Sequence, residues 1–84
     1  NGLPAEARKV AAGQVWAMRD PRFEQHQVLV VEVKKTIAVV LARDARSTPW
    51  KGLPQESRTL AHLPRLYRLV GMAKVPGAAT RSKG

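Results

Sequence analysis

Apolar residues in this chain come in short dense runs set off by polar and turn-forming residues, the spacing of strands rather than helices. Gln14-Val15-Trp16-Ala17-Met18 reads as a first strand. Asp20-Pro21-Arg22 then predicts a turn, because proline fixes φ and an aspartate side chain accepts from nearby backbone N–H groups. Gln27 to Val33 is rich in valine and predicts a second strand. Lys34-Lys35 is read as a two-residue reversal into a third strand, Thr36 to Arg43, dense in β-branched residues. Arg46 to Gln55 holds Pro49, Gly52 and Pro54 with Ser47 and Thr48, and predicts a loop longer than an ordinary hairpin connection. Residues 57–63 and 66–70 are expected to be the fourth and fifth strands. Pro64 cannot donate to a ladder and marks a bend between them.

The central hairpin is apolar on both faces. With Lys34-Lys35 as the turn, Val33 pairs with Thr36, Val31 with Ala38 and Leu29 with Val40. Val28, Val30, Ile37, Val39 and Leu41 then share the other face, broken only by Glu32. Trp16, Leu29, Val31, Val40 and Leu60 are the expected core. Val28, Val30, Val39 and Leu41 need a cover of their own: the N-terminal segment, the long loop, or a second copy in a homodimer.

Five short strands over some sixty residues indicate a mainly β chain, a small five-stranded barrel of the SH3-like or OB-like kind with flexible termini. Residues 1–12 form an N-terminal segment, flexible or a short helix, since Pro4 suits a helix start and Gly13 a stop. Residues 13–72 form the barrel. Residues 73–84 read as a disordered basic tail.

Charge changes this picture from a fold to a class of partner. The 84 residues carry 15 Lys+Arg against 6 Asp+Glu, a net of +9. The excess is not confined to the tail, because residues 14–72 alone carry ten basic and five acidic side chains. A small domain this basic points to a polyanion, nucleic acid first. The absence of cysteine removes disulfides, thiol catalysis and Cys-based zinc sites, and fits a reducing cytoplasm. The longest wholly apolar stretch, Ile37 to Ala42, is far short of the roughly 20 residues a membrane helix needs, and no signal-peptide pattern is present.

Catalytic and metal chemistry find no support. His26 and His62 lie in different segments, and no spacing marks a nucleophile, a base or a phosphate loop. No cofactor is expected. Arg43 and Arg46 bracket the exit of the third strand, Lys51 follows in the loop, Arg58 opens the fourth strand, and Arg65 and Arg68 flank Tyr67. Brought to one side, they would track a phosphate backbone. Trp50, between Pro49 and Lys51, has two readings: it stacks on an unpaired base, or it folds back to plug the barrel mouth or cover the second apolar face.

Gly13-Gln14-Val15-Trp16, Asp20-Pro21-Arg22, the Val-rich hairpin, Arg58-Thr59-Leu60 and Tyr67-Arg68-Leu69-Val70 form an ordered set. Over residues 13–70 it resembles a family of small uncharacterised bacterial and phage proteins that open on a Gly-Gln-Val-Trp/Tyr strand and an Asp-Pro-Arg turn and close on an aromatic-Arg-Leu-Val strand. The resemblance implies a compact β domain and a mobile-element origin, and carries over no functional residue. The Pro-Trp-Lys-Gly loop and the charged tail depart from that pattern. The expected function is non-enzymatic nucleic-acid binding through Arg/Lys contacts to the backbone. The alternative is a protein-interaction module, such as a phage-type modulator of a host complex or a homodimeric adaptor.

Overall fold

The computed structural model describes residues 9–76, so the expected N-terminal helix, apart from its last turn, and most of the basic tail lie outside the described residues. Five antiparallel strands form one sheet: β1 Gln14–Met18, β2 Gln27–Val33, β3 Ile37–Arg43, β4 Gln55–Thr59 and β5 Tyr67–Met72. Their spatial order is β4-β3-β2-β1-β5, so β1 to β4 meander and β5 returns to the outer side of β1. The sheet is open, with β4 and β5 as its edges.

The first two strands fall where the hydrophobic runs place them. Between them Asp20 accepts from the Arg22 N–H at 3.0 Å and opens a single 3-10 turn, Pro21–Phe23, with proline at its compatible first position. Residues 9–13 form a turn rather than the end of a helix. Gly13 has φ +93°, donates to the Val30 carbonyl at 2.8 Å and accepts from the Ala73 N–H at 2.8 Å, so it is a β1 entry and not a helix stop. Three other expectations need correction. β4 begins at Gln55 and ends at Thr59, not at residues 57 and 63. Leu60–His62 turn, and α1, Leu63–Leu66, follows with Pro64 in its first turn, where a missing N–H costs nothing. β5 therefore starts one residue later than expected and runs on to Met72.

The central hairpin also pairs differently. Lys34 donates to the Ile37 carbonyl at 2.8 Å, so the reversal is Lys35-Thr36 and not Lys34-Lys35. The Thr36 carbonyl is used elsewhere: it accepts from the Leu60 N–H at 2.8 Å and ties down the exit of β4. A bulge then adds Val31 to β2, between the pairs Val30↔Val40 and Glu32↔Val39. Beyond the bulge, Leu29 lies opposite Leu41, not opposite Val40. A one-residue offset exchanges the faces that β3 presents to β2. Val31, placed in the core by the sequence, is only half-buried as the bulged residue. Trp16, Leu29, Val40 and Leu60 are buried as expected.

Each sheet face carries its own core. The larger joins Trp16, Val28, Val30, Ala38 and Val40 to Leu60, Leu63 and Tyr67, and Val10 from the N-terminal segment closes it. The smaller joins Val15, Leu29 and Leu41, covered by Trp50 and Leu53 of the long loop and by Ala73. Val28, Val30 and Leu41 are thus buried inside one chain, by the N-terminal segment, α1 and the long loop, and only Val39 of the expected homodimer set stays half-buried. Each fully buried valine contributes roughly 1.5–3 kcal/mol as an upper figure. Two thin cores, each held by its cover, make the loop covers part of the fold's stability.

Candidate nucleic-acid interface

Cross-strand register sorts the basic residues by face. Arg68 lies opposite Ala17, Ala17 opposite Gln27, and Gln27 opposite Arg43. These four form one row across β5, β1, β2 and β3 on the face of the smaller core. Its ends are about 14 Å apart, three strand spacings. The loop that covers this face carries Arg46, Trp50 and Lys51. Arg43 and Arg68 therefore share one face, and Arg46, Trp50 and Lys51 belong to the loop that covers it. Arg58 and Arg65 belong to neither. Arg58 lies opposite Ala38, on the face of the larger core, and Arg65 sits on α1 of that same face.

Arg43 is held by its own chain. Its Nε and Nη2 donate to the Gln27 side-chain carbonyl at 3.1 and 2.6 Å, and its Nη1 donates to the Thr48 backbone carbonyl at 2.7 Å. The guanidinium carbon lies 3.9 Å from the centre of the Trp50 ring, a close cation–π stack. Burial lowers the pKa of Arg43 from its ordinary value, the direction of a guanidinium losing water. Gln27 is the one buried polar residue among those described, and Arg43 supplies its donors. The result is a clamp that fixes the long loop over the smaller core. Trp50 is half-buried, with Arg43 on its ring and Val15, Leu29 and Leu41 beneath the loop. Trp50 thus folds back over the second apolar face, that of the smaller core.

Arg58 is also engaged. It donates to Tyr67 Oη at 3.4 Å, to the Ser57 carbonyl at 2.9 Å and to Glu56 at 2.9 Å. Burial pulls its pKa down, and the hydrogen bonds to Tyr67 and Glu56 outweigh that and leave it raised. Arg58 therefore links β4 to β5 across the open side of the sheet. Arg46, Lys51, Arg65 and Arg68 are exposed, and none takes part in a side-chain hydrogen bond or ion pair among the described residues.

Acids are scarce and mostly spoken for. Asp20 pairs with Arg22 at 2.8 Å, Glu56 with Arg58 at 2.9 Å, and Asp44 lies 2.7 Å from His26 Nδ1. From Ser57 to the last residue no acid occurs. The described residues hold no cluster of three or more His, Asp or Glu that could bind a metal, and no helix long and apolar enough to cross a membrane. Sequence reasoning missed Gln27 and Gln14. Gln14 accepts from the Ala11 N–H at 2.9 Å and from the Trp16 indole at 3.2 Å, and donates to the Lys9 carbonyl at 3.0 Å, so one side chain fixes the N-terminal turn. A glutamine opening each of β1 and β2 was the available signal.

No family model, no curated protein and no solved structure matches this chain.

Proposed function

We propose that this chain is a non-enzymatic nucleic-acid-binding module built on a partly open SH3-like barrel. The strand order, with β5 beside β1 and a meander from β1 to β4, supports that form, as does the Arg58–Tyr67 link across the gap. The observation that carries the function is that three exposed cations stand free, Arg68 on the face of the smaller core and Arg46 and Lys51 on the loop that covers it, a loop fixed by a third arginine, Arg43. They contact phosphates; Arg43 and Trp50 hold the platform. Arg65 lies on the opposite face and is not part of this footprint.

Three phosphate contacts set a salt dependence. The slope of log affinity against log salt should be near −2.7 on duplex and −2.1 on single strands, or roughly 40-fold and 20-fold weaker binding at 200 than at 50 mM salt. Anisotropy titrations of labelled single- and double-stranded 20-mers at those two concentrations test it. Alanine at Arg46, Lys51 or Arg68 should each flatten the slope by about one unit, alike on every sequence. Absence of binding to both oligonucleotides at 50 mM salt refutes the reading. The alternative, a protein-interaction module, draws its support from a different surface, the β5 edge.

A further inference from the structure

The two sheet edges are unlike. β4 presents Gln55-Glu56-Ser57-Arg58-Thr59, a polar strand of the kind that discourages added partners. β5 presents Tyr67-Arg68-Leu69-Val70-Gly71-Met72, and Leu69, Val70 and Met72 are 51%, 43% and 69% exposed. Leu66, just before it, is 54% exposed. Four of the six exposed large apolar side chains among the described residues thus fall within seven consecutive positions. No proline or lysine guards this run. The register with β1 skips from Gly71 to Leu69, so Val70 is bulged, which bends the edge without covering it.

Among the described residues β5 pairs with β1 alone, so alternate N–H and C=O groups of Arg68 to Met72 point away from the sheet. Beside Leu69 a cavity of about 180 Å³ opens, lined by Lys9, Gln14, Trp16, Arg19 and Leu69. Its two cations face no acid among the lining residues, and Arg19 spends only its Nε, on the Pro64 carbonyl at 2.9 Å. Arg65, Arg68 and Lys74 continue the positive charge along the edge, in a stretch without acids.

We propose that the β5 edge docks an extended acidic-apolar segment of another protein, which adds a sixth strand to the sheet. The backbone edge supplies main-chain hydrogen bonds, as in other strand-addition sites. Leu66, Leu69 and Met72 supply contacts for alternate apolar side chains. The cavity takes a carboxylate between Lys9 and Arg19, above the Trp16 edge. Charge selects this occupant over a second copy of the chain, whose net charge is itself +9. The surface shares only Arg68 with the loop face, and its apolar contacts and cavity use none of the phosphate-binding residues, so this proposal does not depend on nucleic-acid binding.

The probe is a blocked peptide, Glu-Val-Asp-Leu-Glu-Val-Asp-Val, with a control carrying Lys at every acidic position. Both are titrated into the isotope-labelled full chain and followed by amide shifts and hydrogen exchange. The expected result is saturable shifts at residues 66–72 with Lys9, Gln14 and Arg19, slower exchange of β5 amides, and no response to the Lys control. Lys9→Glu and Leu69→Thr, each checked for a native amide spectrum, should weaken peptide binding at least tenfold. No shifts at 1 mM peptide, equal response to the Lys control, or shifts centred on residues 46–51 overturns the proposal. So does sedimentation showing a dimer that β5 substitutions dissociate. An oligonucleotide that fails to bind leaves this proposal standing, and a peptide that fails leaves the phosphate-binding face standing.

Discussion

Replacing Arg43 by methionine keeps the apolar stem of the side chain, ending near the position of Nε, and removes every donor. Three losses follow. The Gln27 side-chain carbonyl, in a residue only 8% exposed, loses both hydrogen bonds from the guanidinium. An orphaned buried acceptor costs about 1–3 kcal/mol. The Thr48 carbonyl loses its bond at 2.7 Å, but this loop residue can turn to water, so its share is about 0.5 kcal/mol. The stack on Trp50 at 3.9 Å is worth about 0.5–1 kcal/mol where the pair is partly exposed. Together Arg43→Met should destabilise by about 2–4 kcal/mol, a large fraction of the roughly 5–10 kcal/mol such a domain has. At about 4–8 °C per kcal/mol for this size, Tm should fall by at least 8 °C. Urea and thermal unfolding by circular dichroism measure it, and tryptophan fluorescence reports release of Trp50. A Tm within 2 °C of the parent refutes the clamp. So does a variant that keeps its stability yet loses oligonucleotide binding, because Arg43 would then be a phosphate contact.

Trp50→Ala should cost about 2–3 kcal/mol, less than a fully buried tryptophan because the ring is half-buried. Combined with Arg43→Met it should show a coupling of about 0.5–1 kcal/mol in a double-mutant cycle, and strict additivity would disprove the stack. Gly13→Ala should cost about 1–3 kcal/mol by denaturant unfolding, because φ +93° is strained for any side chain whatever the space. Val30→Asp should unfold the domain while Val31→Asp leaves it folded but weakened, a ranking that amide spectra of the two variants check directly. Asp20 is held below its ordinary 3.8 by the side chain and then the backbone N–H of Arg22. Its folded pKa is depressed, so its contribution is whole above about pH 4 and disappears as pH falls through the lower folded value. Asp20→Asn should therefore flatten the acid limb of the stability curve in that window.

The strands were legible because β-branched runs bounded by Pro, Gly and charged pairs have few other structures open to them. Their register was not. In Val28-Leu29-Val30-Val31 both phases of an alternation are apolar, so no polar residue fixes which side faces which core. Lys34-Lys35 and Lys35-Thr36 are equally plausible reversals on local grounds. What selects the second is distant: the Thr36 carbonyl is needed by Leu60. The end of β4 was misplaced for a related reason. Leu60 and Leu63 are apolar and sit beyond a strand, but they reach the larger core from a turn and from α1. The apolar residues of β5 read as a closing strand, and only the strand order reveals that most of them stand on an open edge.

The charge is where sequence and structure inform each other most. A count of cations treats all arginines as equivalent, but this chain uses them in two ways. Arg43 and Arg58 fasten a loop and an edge, through carbonyls, a phenol, a carboxylate and an aromatic ring. A chain of this size has little apolar area with which to hold a long loop, and a planar guanidinium with several donors can do so at small volume. Part of the positive charge is therefore a consequence of smallness rather than of a partner. Arg46, Lys51 and Arg68, which have no such partner among the described residues, cannot be explained in that way. An excess of like charge costs the fold a little through self-repulsion. Alanine at each should leave stability unchanged or slightly raised while it weakens binding, the opposite pattern from Arg43. That opposition separates a surface kept for an anion from one kept for folding.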